Sequence, residues 1–123
     1  MPIYWTIDSK ERLMTVIAEG DVTRPEFESY LDVIDNANLH AYRKLFDGGS
    51  ADTRMGAEDI MAMGVRMRSA HQSHAVGPLA VVVPEDKIAM MSRVLGMLAA
   101  ANRPMRVFHE VGAARDWIRK QSF

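Results

Sequence analysis

The sequence predicts an α/β domain: a five-stranded mixed sheet with about four packed helices, in the order β-β-α-β-α-β-α-β-α. Short runs of strand periodicity alternate with longer runs of helical periodicity, the pattern of a largely parallel sheet with right-handed crossovers. Leu79-Ala80-Val81-Val82-Val83 is apolar on both faces, as a central strand covered on both sides reads. Thr23, Pro25 and Glu26 mark a helix start from the sequence alone. A chain of 123 residues, 48% apolar and 25% charged, suits a single domain over 1–123 with one core.

Ile3 to Ile7 alternates with period two, placing Ile3, Trp5 and Ile7 on one face. Asp8 to Arg12 is polar and reads as a turn, short enough for a hairpin. Leu13 to Ala18 is the second strand, ending at Gly20-Asp21. Thr23 and Glu26 then form a capping box, Pro25 sits in the first turn, and Val22 and Phe27 occupy the staple positions. Phe27, Tyr30, Leu31 and Ile34 make one apolar stripe, and Asn36 to Asn38 ends the helix. Tyr42 to Phe46 is the third strand, followed by a Gly-rich loop from Asp47 to Gly56. A second helix starts at Gly56, with Met55 and Ile60 as its staple and Glu58 and Asp59 at the positive end of its dipole. Ile60, Met63 and Met67 continue one face to about His71. Leu79 to Val83 is the fourth strand. Pro84-Glu85-Asp86 opens a third helix, closed by Asn102-Arg103-Pro104. Met105 to His109 is the fifth strand, and Ala113 to Lys120 the last helix. The expected core includes Trp5, Val16, Phe27, Leu31, Leu45, Val81, Val83, Leu95, Val107 and Trp117.

Composition excludes several functions. A net charge of −1 carries no polyanion footprint, and Arg66 and Arg68 near Arg54 form only a small basic group, so no nucleic-acid partner is expected. The chain has no cysteine, which removes disulfides, thiol catalysis and thiolate metal sites. No secretory leader pattern and no apolar run of roughly 18 residues is present, so a cytoplasmic protein without a transmembrane segment is expected. A peripheral membrane contact is compatible with that reading.

Chemistry-bearing motifs are weak. Gly48-Gly49-Ser50-Ala51-Asp52 approaches a nucleophile elbow, but Asp52 stands where the second glycine belongs, and no base is placed beside Ser50. Gly48-Gly49 lacks the third glycine of a dinucleotide fingerprint, and no P-loop lysine follows; the pair reads as a tight turn with positive φ. His71 and His74 are the close histidine pair, at a helix end, without further ligands in view; His40 and His109 stand isolated. No catalytic residue, metal or cofactor is assigned, and no enzyme activity is expected. The Asp47–Gly56 segment, with Asp47, Ser50, Asp52 and Thr53, sits where a strand end meets a helix N-terminus, which favours an anion or a phosphorylated hydroxyl.

Ten methionines are the compositional oddity. Met63 and Met67 lie on the second helix, and Met90 and Met97 on the third. One stripe of the third helix, Ile88, Met91, Leu95 and Leu98, suffices to face the sheet. Met90, Val94, Met97 and Ala101 are then left over. Extra packing or a homodimer contact is the expected cover; a nonpolar ligand groove, a membrane contact or a protein partner are the alternatives.

Lys44-Leu45-Phe46-Asp47, Gly77 to Pro84, Arg106 to Glu110 and Ala113 to Ile118 together resemble the SpoIIAA-like proteins, bacterial relatives of the STAS domain. The resemblance covers nearly the whole chain. It implies a mixed sheet, usually ordered 1-3-2-4-5 in STAS relatives, and no established enzyme activity. It also implies either partner switching through a phosphorylated serine or carriage of a nonpolar ligand. The antagonist pattern has Asp-Ser-Ser-Gly at the helix start, whereas this chain has Asp52-Thr53-Arg54-Met55-Gly56, with Ser50 two residues earlier. The expectation is a non-enzymatic binding or regulatory domain. It would bind a nonpolar small molecule or a protein partner through the Asp47–Gly56 loop and the second and third helices. The alternative is a switch controlled by phosphorylation of Ser50 or Thr53.

Overall fold

The computed structural model describes residues 3–52, 56–98 and 104–121. The elements are β1 (Ile3–Asp8), β2 (Leu13–Asp21), α1 (Arg24–Asn36), β3 (Arg43–Asp52), α2 (Ala57–Ser73), β4 (Leu79–Val82), a 3-10 turn (Glu85–Lys87), α3 (Ile88–Leu98), β5 (Met105–Phe108) and α4 (Val111–Arg119). Five strands and four helices thus follow the expected order.

β1 and β2 form an antiparallel hairpin with Trp5 opposite Val16. Asp8 closes its turn: Oδ1 accepts from the backbone N–H of Lys10 at 3.1 Å and of Glu11 at 3.0 Å. Arg12 completes the reversal in the left-handed region, at φ 51°. The remaining neighbours are parallel, and the sheet order is β1-β2-β3-β4-β5. The order 1-3-2-4-5 implied by STAS relatives is therefore not adopted. A short turn fastened by its own side chain holds sequential strands side by side at the least loop cost.

α1 starts as its sequence demands. The Thr23 side chain and the backbone N–H of Glu26 meet at 3.5 Å, and Glu26 accepts from the Thr23 backbone N–H at 3.2 Å. Val22 is buried, and Phe27 packs on the same core as Tyr30 and Ile34. That core continues through Met14, Val16 and Ala18 of β2. Phe46 links it to Leu79, Val81 and Val83, over which Ile88 and Met91 of α3 pack. α2 joins this layer through Arg66, which reaches the Glu28 carbonyl, Asp32 and Asp35 on α1. The opposite face carries α4: Ala114 and Ile118 close over Leu45, Ala80 and Val82. Val16, Leu45, Val81 and Val83 are buried as expected, whereas Trp5, Phe27, Leu31, Val107 and Trp117 are half-buried. The Leu95 side chain lies outside the described residues. β4 ends at Val82 and lies inside the sheet, between β3 and β5.

The third strand corrects the sequence reading. Asp47 to Asp52 is strand, not loop: beyond Ile17–Asp47 the pairing resumes as Glu19–Ser50, Gly20–Ala51 and Asp21–Asp52. Two steps on β2 span three on β3, so β3 carries one extra residue, a bulge at Gly48-Gly49. Neither glycine has positive φ; among the described glycines Gly20 does. Their value is closeness: a Cβ on Gly48 would stand 3.1 Å from the Val82 carbonyl oxygen.

At the foot of β3 two buried cations point to opposite faces. Arg43, 2% exposed, donates to the carbonyls of Ile118, Arg119 and Gln121 at the end of α4, and to that of Glu11 in the hairpin turn. Lys44, also 2% exposed, donates from Nζ to the carbonyls of His40 at 2.8 Å and Tyr42 at 2.9 Å. Arg43→Met keeps the stem and removes every donor. It should cost about 3 kcal/mol, read as a lower urea midpoint with an unchanged slope.

Candidate functional site

The carboxyl ends of the strands form the candidate site, where open parallel sheets place their ligands. β4 stops at Val82, opposite Asp47, so Gly48 to Asp52 continues past it as an arm paired with β2 alone. Asp47 is half-buried and folds back, its Oδ1 accepting from the Gly49 N–H at 3.1 Å. Ser50 is exposed and stands opposite Glu19. Asp52 is exposed and pairs with Lys87 Nζ at 3.0 Å, which ties the arm to the turn before α3. The Asp52 carbonyl accepts from the Val22 N–H at 2.9 Å. Thr53 lies outside the described residues, as does Met55.

α2 is capped at Gly56 without a side-chain hydrogen bond, and Glu58 and Asp59 occupy its first turn. Arg24 bridges Glu28 at 2.7 Å and Asp59 at 3.2 Å, so the starts of α1 and α2 are joined. Glu28 first, and Asp59 after it, hold the exposed Arg24 more firmly in its charged form. The arm and its β2 partner are acidic, with Asp47 and Asp52 on β3 and Glu19 and Asp21 on β2, and Lys87 pairs with Asp52.

The methionines divide. Met63 is 7% exposed and belongs to the interior, so the surface role expected of it is corrected. The reason is helical phase: Met63 lies on the inward stripe of α2, and the outward stripe is Met61 and Val65, exposed to 63% and 60%. Met61 is one of the methionines the sequence places on this helix; Val65, at i+4 from it, is the residue the sequence reading lacks. Met67 is half-buried, and Met90 on α3 is 53% exposed. Val94 and Met97 are in α3, but their side chains lie outside the described residues.

His40, isolated in the sequence, is not isolated in the fold. His74 stacks on His40, centroids 3.8 Å apart and planes 6° from parallel; the His71 side chain lies outside the described residues. His40 is buried, and its Nε2 meets Asp35 Oδ1 at 2.7 Å. Sequence separation hid this pair, because α1 and α2 must pack before the two loops meet. Among the described residues no group of three or more His, Cys, Asp or Glu could hold a metal ion. Arg66 bonds Asp35 at 2.7 Å and Asp32 at 2.6 Å. Asp35 is held below the usual carboxylate range, chiefly by the Arg66 hydrogen bond, with His40 adding to it against the effect of burial.

A model of the SpoIIAA-like family matches residues 13–119, and the chain belongs to that family. Among solved structures, an uncharacterized protein with a SpoIIAA-like fold from Shewanella loihica is similar. The two share 17% identity at a TM-score of 0.64, over 94% of this chain and 93% of that one. A search among curated proteins finds no match. Membership supports a binding or regulatory domain rather than an enzyme. Among the described residues no helix is long and apolar enough to cross a membrane.

The lowered Asp35 sets an acid limit. Its ionisation contributes stability that is complete above the ordinary aspartate value of about 4 and is lost as pH falls through the lowered value. Urea midpoints taken from pH 5 downward should therefore fall, and Asp35→Asn should flatten that fall.

Proposed function

We propose that this domain binds a nonpolar, lipid-like molecule or a protein partner through the outer faces of α2 and α3. One observation carries the reading: Met61, Val65 and Met90 each expose more than half of their surface on two helices that touch one another. Scattered apolar residues are ordinary on a protein surface, but flexible apolar side chains on adjoining helices suit an adaptable contact. Val94 and Met97 extend the same segment of α3, and Met67 borders it from α2. Asp47, Ser50 and Asp52, in the acidic arm of β3, are the polar part of the proposed surface; Thr53, its fourth residue in the sequence reading, lies outside the described residues. The same faces suit a second copy of the chain, which would cover them as a homodimer.

The phosphorylation switch is less well supported. A phosphate on Ser50 would add about 1.5 to 2 negative charges opposite Glu19 and beside Asp52. Lys87, which reaches the arm from the turn before α3, already pairs with Asp52.

Met61→Gln, Val65→Gln and Met90→Gln test the reading. Each should change stability by no more than about 0.5 kcal/mol, as surface changes do. Together they should weaken binding of an apolar fluorescent probe several-fold and reduce any concentration-dependent dimer seen by light scattering. Met63→Ala should instead cost about 2–5 kcal/mol. Probe binding and oligomeric state both unaffected by the triple variant would sink the proposal.

A further inference from the structure

The end of α2 rests on an unusual contact. His74, the residue after the helix, is exposed, yet its ring lies flat on the buried His40 ring at 3.8 Å. His40 belongs to the segment between α1 and β3. One more bond joins the same segments, the Gly77 N–H donating to the His40 carbonyl at 2.8 Å; Lys44 Nζ, from the start of β3, donates to that same carbonyl at 2.8 Å. Gly77 is required by the approach, since a Cβ there would stand 2.3 Å from the Tyr42 carbonyl oxygen.

The protonation state of the stack follows from its partners. Asp35 is ionised, so it accepts, and His40 Nε2 must carry the donated proton. His40 Nδ1 is then a bare nitrogen, buried and without a hydrogen-bond partner. A proton added there makes a buried donor that no acceptor meets. From α1, Asp35 favours the charged ring, but it shares its carboxylate with Arg66, and Asp32 is engaged by Arg66 as well. From α2 Arg66, and from β3 Lys44, oppose it as like charges. In the same loop, the Tyr42 ring lies under Arg12. The loop from Ala75 to Pro78 carries no titratable side chain. Neutral imidazoles, or one cation over one neutral ring, stack favourably. Two cations face to face at this distance repel, and burial of one ring limits screening by water.

We infer that the His40–His74 stack is a proton-sensitive clasp that fastens the carboxyl end of α2 to the α1–β3 segment, closed while one ring is neutral and open when both are charged. The clasp is distinct from the docking faces proposed above and stands without them.

Hydrogen exchange on the intact chain at pH 7.5 and 5.0, corrected for intrinsic rates, tests the clasp. Protection of the amides from Ala70 to Gly77 should fall about tenfold or more at pH 5.0, while β3 and β4 hold theirs. His74→Phe keeps a flat ring and removes the second charge; His74→Gln removes both ring and charge. Because residue 74 is exposed, both variants should fold, and both should show protection that changes by less than about twofold between the two pH values. The clasp is overturned if the parent keeps its protection at pH 5.0, or if His74→Phe loses it as the parent does.

Discussion

The chain turns on the two cations at the foot of β3. Arg43 and Lys44 are neighbours in a strand, so they leave the sheet on opposite sides. Each is buried, and backbone carbonyls meet the Lys44 ammonium and both terminal nitrogens of the Arg43 guanidinium. Taking an ammonium or guanidinium out of water costs several kcal/mol unless good hydrogen bonds replace the water. Those bonds exist only when α4 ends where it does, when the hairpin turn is closed, and when the loop before β3 folds under Lys44. Two residues therefore make the placement of both layers conditional on each other. The carbonyls at the end of α4 gain as well, since a cation at a helix C-terminus is where the dipole favours it.

Much of this architecture is written locally. The capping box at Thr23, the Asp8 turn and the doubly apolar Leu79–Val83 run each announce an element without tertiary information, and each forms where expected. Arg43 and Lys44 could not be read that way. In sequence they are surface-type residues, and only assembled carbonyls make them interior. The same holds for His40, whose partners Asp35 and His74 come from two different helices' ends. The β3 arm escaped for another reason. A bulge breaks the period-two pattern, and a Gly-Gly pair inside it looks like a turn. On α2 the stripe of Met63 and Met67 is legible as one face, but periodicity alone does not say which face turns inward, and Met61 and Val65 prove to be the outward one.

The second face of the sheet is unevenly covered. α4 lies over Leu45, Ala80 and Val82, toward one side, and meets the hairpin at Leu13. Tyr4 and Ile17, cross-strand partners, stay 52% and 42% exposed there. On the other face α1 covers Ile3, Met14, Val16 and Ala18, and Ile88 and Met91 of α3 cover Leu79, Val81 and Val83. Burial is thus concentrated on three parallel strands, and β1 is held mainly by its hairpin and by Ile3 and Trp5 against α1.

The bulge at Gly48-Gly49 has a consequence for chain length. Strict alternation from Asp47 would turn Ser50 toward the α1 core and Ala51 away from it. With one residue absorbed, Ala51 packs on that core and Ser50 stays exposed opposite Glu19. Removing one of the two glycines would make the strand regular and leave every later side chain on its present face. Removing a residue between Ser50 and Asp52 would instead exchange the faces of whatever follows it. The arm therefore has one point at which a residue can be lost without inverting it, and that point lies directly above the end of β4.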